Sequence, residues 1–96
     1  MNKKYERYIN YIADDIEAPY FENMREIYGL RPDEYPLVLS KIFNQPVTIE
    51  GGRVYNQYGD KIYHENSDGS WFKQEYDANG NEIYYEDNNG YIEDNR

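Results

Sequence analysis

Apolar and polar positions follow two different periods along this chain. Over residues 3–17 the spacing is helical: Tyr5, Tyr8, Ile9, Ile12 and Ile16 recur at intervals that stack one face, with Lys4, Glu6, Arg7, Asn10, Asp14 and Asp15 between them. Pro19 stops that helix. A second helix is predicted from about residue 20 to residue 28, where Phe21, Met24, Ile27 and Tyr28 are apolar and Gly29 stands ready to end it. Asp33 then offers a cap ahead of Pro36, opening a third helix through Leu37, Val38, Leu39, Ile42 and Phe43, the most apolar segment of the chain. Past Asn44, Gln45 and Pro46 the period drops to two.

Residues 47–50 and 53–56, joined by Gly51 and Gly52, read as a hairpin. Beyond them β-favouring runs at 61–66, 70–76, 81–87 and 91–94 are separated by turn residues at Ser67-Asp68-Gly69, Asp77 to Gly80 and Asn88-Asn89-Gly90. The stretch repeats itself: Tyr55/Tyr76, Gly59/Gly80, Ile62/Ile83, Tyr63/Tyr84, Glu65/Glu86 and Gly69/Gly90 fall into register. The fold expected is α+β in one domain, with two to three helices (residues 1–45) packed on a C-terminal antiparallel β-meander of four to six strands (residues 46–96). In the strands Ile62 shares a face with His64 and Ile83 with Tyr85, while Tyr63 with Glu65 and Tyr84 with Glu86 point the other way. The isoleucine face is the expected inner one, with the third helix against it and the first two flanking. Tyr63, Tyr84 and their carboxylates are then left on the outer face, although Trp71, Phe72 and Tyr76 put aromatics on both sides.

Composition narrows the picture. A 96-residue chain supports one small core that buries about 60 to 65% of the unfolded surface, and its 13 tyrosines supply apolar ring area with hydroxyls kept wet at the rim. With no cysteine there are no disulfides or thiolate metal sites. No apolar run approaches the roughly 20 residues that cross a bilayer, so a cytoplasmic protein is expected. The net charge of −9 weighs against nucleic acid or anionic membrane as a direct ligand and favours a basic partner. From residue 53 onward four basic residues face ten carboxylates, and between Gln74 and Asn95 nothing basic interrupts Glu75, Asp77, Glu82, Glu86, Asp87, Glu93 and Asp94.

Catalytic chemistry finds little footing. His64 is the sole histidine, and its neighbour Glu65 points to the opposite face of the strand. Ser40, Ser67 and Ser70 lack a histidine and carboxylate context. The alternation of Asp77, Asn79 and Asn81 is superficially that of a calcium loop, yet its glycine comes at the fourth position and Asn88 stands where a bidentate glutamate belongs, which makes it a turn. No catalytic, cofactor-binding or metal-binding residue is expected, and no enzymatic activity. What remains is surface: Tyr63, Trp71, Tyr76, Tyr84 and Tyr85 interleaved with Glu65, Glu75, Glu82, Glu86 and Asp87 are the candidate partner-binding residues. The plain alternative is that the tyrosines are cross-strand pairs and the acids a solvated face.

The segment from Tyr76 through Asp77, Asn79, Gly80, Asn81, Ile83, Tyr84, Tyr85, Glu86 and Asp87 to Gly90 resembles the tyrosine-rich hairpin repeats of small phage and prophage proteins. More distantly it resembles the tyrosine-aspartate repeats of Rhs-type shells, but Asn81 and Glu82 stand where those carry Arg-Leu, so that comparison speaks to hairpin geometry. Size and charge are similar to those of anti-CRISPR proteins. The resemblance implies an acidic phage-type protein, monomer or homodimer, acting in the cytoplasm of an infected bacterial host. It would inhibit a nucleic-acid-handling defence complex, a CRISPR effector, by occupying a basic nucleic-acid-binding or regulatory surface with carboxylates that compete for the same cations. The other expectation is a structural or assembly module of a phage or prophage particle, working through self-association or virion binding.

Overall fold

The structure is a computed structural model that describes residues 11–96. The chain forms two compact units, Met1–Val47 and Thr48–Arg96. Helices occupy the first and an antiparallel sheet the second, an α+β arrangement.

In the first unit residues 11–15 are helical (α1), and the Ile16 N–H donates to the Ile12 carbonyl at 3.0 Å. Ile12 and Ile16 are both buried, as a spacing of four on one helical face requires. The rest of the helix expected over 3–17 lies outside the described residues. Helix α2 (Tyr20–Glu26) starts directly after Pro19, which follows a cis peptide bond. It stops short of residue 28 because the chain turns through Gly29 at φ 62°, and the Leu30 N–H reaches back to the Met24 carbonyl at 2.9 Å. Asp33 does not cap the next helix. Pro32–Glu34 form a 3-10 turn, η1, and Asp33 sits inside it beside Arg31 Nε at 3.6 Å. Pro32, with its φ already locked, starts the turn earlier than Pro36 would. Helix α3 (Tyr35–Ile42) closes on Asn44 at φ 55°, where the Asn44 N–H donates to the Lys41 carbonyl (3.3 Å) and the Gln45 N–H to the Ser40 carbonyl (3.1 Å). That paired return satisfies two of the helix's last carbonyls. Tyr20, Phe21, Met24, Leu30, Tyr35, Val38 and Leu39 are buried, and Phe21 meets Tyr35 edge-on at 5.6 Å. Among the described residues no helix is long and apolar enough to cross a membrane.

The second unit is a six-stranded meander in chain order: β1 (Thr48–Glu50), β2 (Arg53–Tyr55), β3 (Lys61–Glu65), β4 (Trp71–Tyr76), β5 (Glu82–Asp87) and β6 (Ile92–Asp94). The connections after β2, β3, β4 and β5 are built alike. The carbonyls of Asn56, Asn66, Asp77 and Asp87 accept from the N–H of Gly59, Gly69, Gly80 and Gly90 at 3.0 to 3.1 Å. The same four residues donate their own N–H to the carbonyl four positions on, at 2.8 to 3.1 Å. This is the three-residue loop in which a left-handed glycine follows a type I turn. The leading Asx oxygen also accepts backbone N–H groups in three of the four. Asn56 Oδ1 takes Tyr58 and Asp60, Asp77 Oδ1 takes Asn79 and Asn81, and Asp87 Oδ1 takes Asn89 and Tyr91. At Asn66 the task passes to Asp68 Oδ1, which accepts from the Ser70 N–H and hydroxyl.

Two register shifts recur at equivalent places in the repeat. Lys61 and Ile62 crowd opposite Tyr55, and Glu82 and Ile83 opposite Tyr76. Strand pairing then assigns the faces. Val54, Tyr63, Glu65, Trp71, Lys73, Glu75, Tyr84, Glu86, Ile92 and Asp94 lie on one, here the Tyr63 face. Ile62, His64, Phe72, Gln74, Tyr76, Ile83, Tyr85, Asp87 and Glu93 lie on the other, the Ile62 face, and the bulges turn Lys61 and Glu82 toward it as well.

Candidate interaction surface

Burial in the sheet follows strand position, not face. The buried residues are Val54, Ile62 and Tyr63, in β2 and β3 and on both faces, whereas all of β6 is exposed. The expectation of an inner isoleucine face with an outer Tyr63 is therefore corrected. Tyr63 is 0% exposed, and Ile83, its supposed inner counterpart's repeat partner, is only half-buried. Tyr63 stands opposite fully buried Val54 and stacks on Trp71 at 6.4 Å, while its hydroxyl donates to Glu65. A ring so enclosed contributes packing and offers no contact to a partner.

The ten candidate residues do not form one surface. Tyr63, Glu65, Trp71, Glu75, Tyr84 and Glu86 share the Tyr63 face, and Tyr76, Glu82, Tyr85 and Asp87 share the other. On the Tyr63 face the repeat reproduces one chemical unit, a tyrosine hydroxyl donating to the glutamate two positions on: Tyr63 to Glu65 and Tyr84 to Glu86 at 2.7 Å. That hydrogen bond raises the Tyr84 pKa above its ordinary value, with burial and the Glu86 charge adding to it. Cations cover the aromatics here. Lys73 Nζ lies 5.1 Å from the Trp71 ring centre, and the Arg96 guanidinium lies 4.3 Å from that of Tyr84. Arg96 also pairs with Glu75 at 3.1 Å and Asp94 at 3.0 Å, and its hydrogen bonds to Asp94 lower that carboxyl's pKa.

The Ile62 face carries a ladder of rings across the strands. His64 meets Phe72 at 5.3 Å, Phe72 stacks on Tyr85 at 5.9 Å, and Tyr85 meets Tyr91 at 5.9 Å, with Lys61 Nζ 5.2 Å from the Phe72 centre. His64, Phe72 and Tyr85 turn their ring faces toward each other, leaving mainly edges for anything laid on the sheet. Among the described residues His64 Nδ1 is buried without a hydrogen-bond partner, and Glu65 points to the opposite face. Carboxylates flank the ladder. Glu82 accepts from Gln74 Nε2 at 2.8 Å, and Asp87 Oδ2 accepts from the Tyr85 hydroxyl at 3.2 Å. Burial, and then the Asp87 charge, raise the Tyr85 pKa, while burial followed by Glu82 and Asp60 does the same to Tyr76. Among the described residues Glu82, Asp87 and Glu93 form no ion pair.

Several residues that shape these faces were absent from the candidates: Phe72, Lys73, Tyr91, Glu93 and Arg96. Cross-strand register is the signal that finds them, since the turn and the bulge opposite Tyr76 together place Lys73 opposite Glu86 and Phe72 opposite Asp87. Arg96 closes back over Tyr84. Asp77 spends Oδ1 on two backbone N–H groups of its own turn, and those bonds lower its pKa. No family model, curated protein or solved structure matches this chain.

Proposed function

We propose that the sheet unit is a binding module for a basic protein surface, and that its acidic strands block a nucleic-acid-binding or regulatory surface of a host defence complex, in the manner of an anti-CRISPR. The observation that carries this reading is the set of carboxylates in β5 and β6. Glu82, Asp87 and Glu93 stand on one face without a neutralising cation among the described residues, on a backbone fixed by hydrogen-bonded turns. Arg53 and Lys61 share this face but belong to β2 and β3 and form an ion pair with none of the three, and a Lys- or Arg-rich surface is the complement of those acids.

Because the acids divide between faces, reversal by face tests the proposal. Tagged protein is used to capture CRISPR effector complexes from bacterial lysate at low and high salt. Glu82→Lys with Glu93→Lys should abolish capture, while Glu86→Lys, on the other face, should leave it within about threefold and near-ultraviolet circular dichroism should stay unchanged in both. Capture should also weaken steeply with salt, since exposed charges are screened beyond about 8 Å at physiological ionic strength. Salt-insensitive capture, or capture indifferent to both reversals, would sink the acidic-surface reading. A second reading, an assembly module of a phage particle, draws on the exposed Tyr91 and Ile92 near the last strand. It predicts an apparent size that grows with concentration and an indifference to charge.

A further inference from the structure

We infer that the outer edge of β6 is a docking strand for an extended, basic segment of a partner protein, which would add to the sheet as a seventh strand. This rests on the binding-module reading and says where on the unit the partner sits. The Asp87 N–H donates to the Tyr91 carbonyl at 3.1 Å and the Asn95 N–H to the Ile83 carbonyl at 2.8 Å, with Glu93 opposite Tyr85 between them. Tyr91, Glu93 and Asn95 therefore turn their backbone groups inward to β5. Ile92 and Asp94 turn theirs outward, to an edge that no described strand pairs with.

The repeat shows what such an edge accepts. Offset by one unit, Tyr55 to Tyr76, β6 takes the place of β4: Ile92 corresponds to Trp71, Glu93 to Phe72 and Asp94 to Lys73. Strand β4 is paired on both sides, so its counterpart is at a position in the repeat where a second neighbour belongs. Within the sheet, Lys73 of β4 lies opposite Glu86 of β5. At β6 the sign is inverted at Glu93, which replaces the aromatic and forms no ion pair among the described residues, while Asp94, which replaces the lysine, is already paired with Arg96. The complementary incoming strand thus carries cations where β5 carries acids, with a β-branched or aromatic residue opposite Ile92, which is 57% exposed. A second copy fits poorly, since the sheet edges among the described residues carry Glu93 and Asp94 or Glu50, and like charges directly opposite destabilise a pair.

The test is a titration of the full-length 15N-labelled protein with a nine-residue peptide of alternating lysine and threonine, against the same peptide with glutamate for lysine. The expected result is amide shifts confined to residues 91–96 and at least tenfold slower hydrogen exchange at Ile92 and Asp94, with the lysine peptide only. Ile92→Pro removes an outward N–H and breaks no β5–β6 hydrogen bond, so it should weaken binding at least tenfold with β2 to β4 amides unmoved. Should that variant disturb those amides, the exchange rates in the parent protein decide by themselves. Shifts confined to Glu82 and its face neighbours and untouched by Ile92→Pro would overturn the edge while leaving the acidic-surface proposal standing. Shifts at residues 91–96 that grow with protein concentration and need no peptide would overturn it in favour of self-pairing, and no response to the lysine peptide would overturn it outright.

Discussion

Gly52→Ala is the sharpest test of the sheet's construction, because at Gly52 the β1–β2 turn presses its backbone onto β3. A methyl group there would sit 2.2 Å from the Glu65 carbonyl oxygen and 3.3 Å from its carbon. Carbon–oxygen contacts are tolerated at about 3.3 Å, so the strands must part by roughly 1 Å. The Glu65 N–H donates to the Gly52 carbonyl at 2.8 Å, and a separation of that size carries the bond out of range. Losing it costs about 1 kcal/mol, and the overpacking about 1 to 3 kcal/mol more. The sum, about 2 to 4 kcal/mol, is a large part of the roughly 5 to 14 kcal/mol expected for a chain of this size. At about 4 to 8 °C per kcal/mol, the melting temperature should fall by at least about 8 °C. Thermal melts followed by circular dichroism measure it, with Gly51→Ala as the control. Gly51 has φ 61° and open space around it, so an alanine there meets only the left-handed penalty of about 1 to 2 kcal/mol. A Gly52→Ala protein melting within about 3 °C of the parent, or one more stable than Gly51→Ala, would refute the close approach.

Removal of the buried ring in Tyr63→Ala should cost about 3 to 5 kcal/mol in urea denaturation, whereas Tyr84→Ala, its repeat counterpart on a half-exposed site, should cost clearly less. Asp77→Asn keeps the Oδ1 acceptor for Asn79 and Asn81 and should melt close to the parent, while Asp77→Ala removes it and should melt lower. Melting temperature should also be bounded by pH on both sides. The carboxyls of Asp68, Asp77 and Asp94 have pKa values lowered by hydrogen bonds, so their stabilisation is present above the ordinary carboxyl value near 4 and is lost as pH falls through the folded values. Tyr76, Tyr84 and Tyr85 have raised values, so theirs is present below about pH 10 and is lost as pH rises through the folded values. Melts across the pH range, read beside tyrosinate absorbance, check both ends; a melting temperature flat through the acid limb would contradict the carboxylate hydrogen bonds, and one flat through the alkaline limb the burial and acidic surroundings of the tyrosines.

Periodicity made the elements legible. Ile12 and Ile16 are buried at helical spacing, and the strand runs anticipated every strand from β1 to β6. Turn chemistry was legible too, because an Asx residue three positions before glycine has few other conformations to adopt. Where the reading failed, the deciding fact was non-local. The one local exception is the start of η1, where Pro32 outranked Asp33 through its fixed φ; Gly29 turns the chain after α2 as its position suggested. The burial of Tyr63 could not be read from alternation, which assigns a face but not the depth at which that face lies. Nor could the pairing of Lys73 with Glu86, which depends on the bulge opposite Tyr76 that offsets the register by one residue.

Strand alternation explains why a sequence so plainly acidic presents no single acidic surface. In β5 the chain doubles each residue type: Tyr84 beside Tyr85, Glu86 beside Asp87. A strand sends neighbours to opposite sides, so the doubling gives each face one tyrosine whose hydroxyl is tied to one carboxylate two positions on. The two faces of β5 are thus chemically similar, and what distinguishes them is the company the neighbouring strands supply. Lys73 and Arg96 bring cations to the Tyr63 face on the strands that flank β5, near Glu86 and Glu75, whereas the cations of the other face, Arg53 and Lys61, belong to β2 and β3 and form no ion pair with Asp87 or Glu82 among the described residues. Any partner that reads charge has reason to choose the second face, and one that reads a strand edge finds both carboxylates of β6 within reach from either side. If capture follows Glu82 and Glu93 and ignores Glu86, the asymmetry that β4 and Arg96 impose is what the partner recognises.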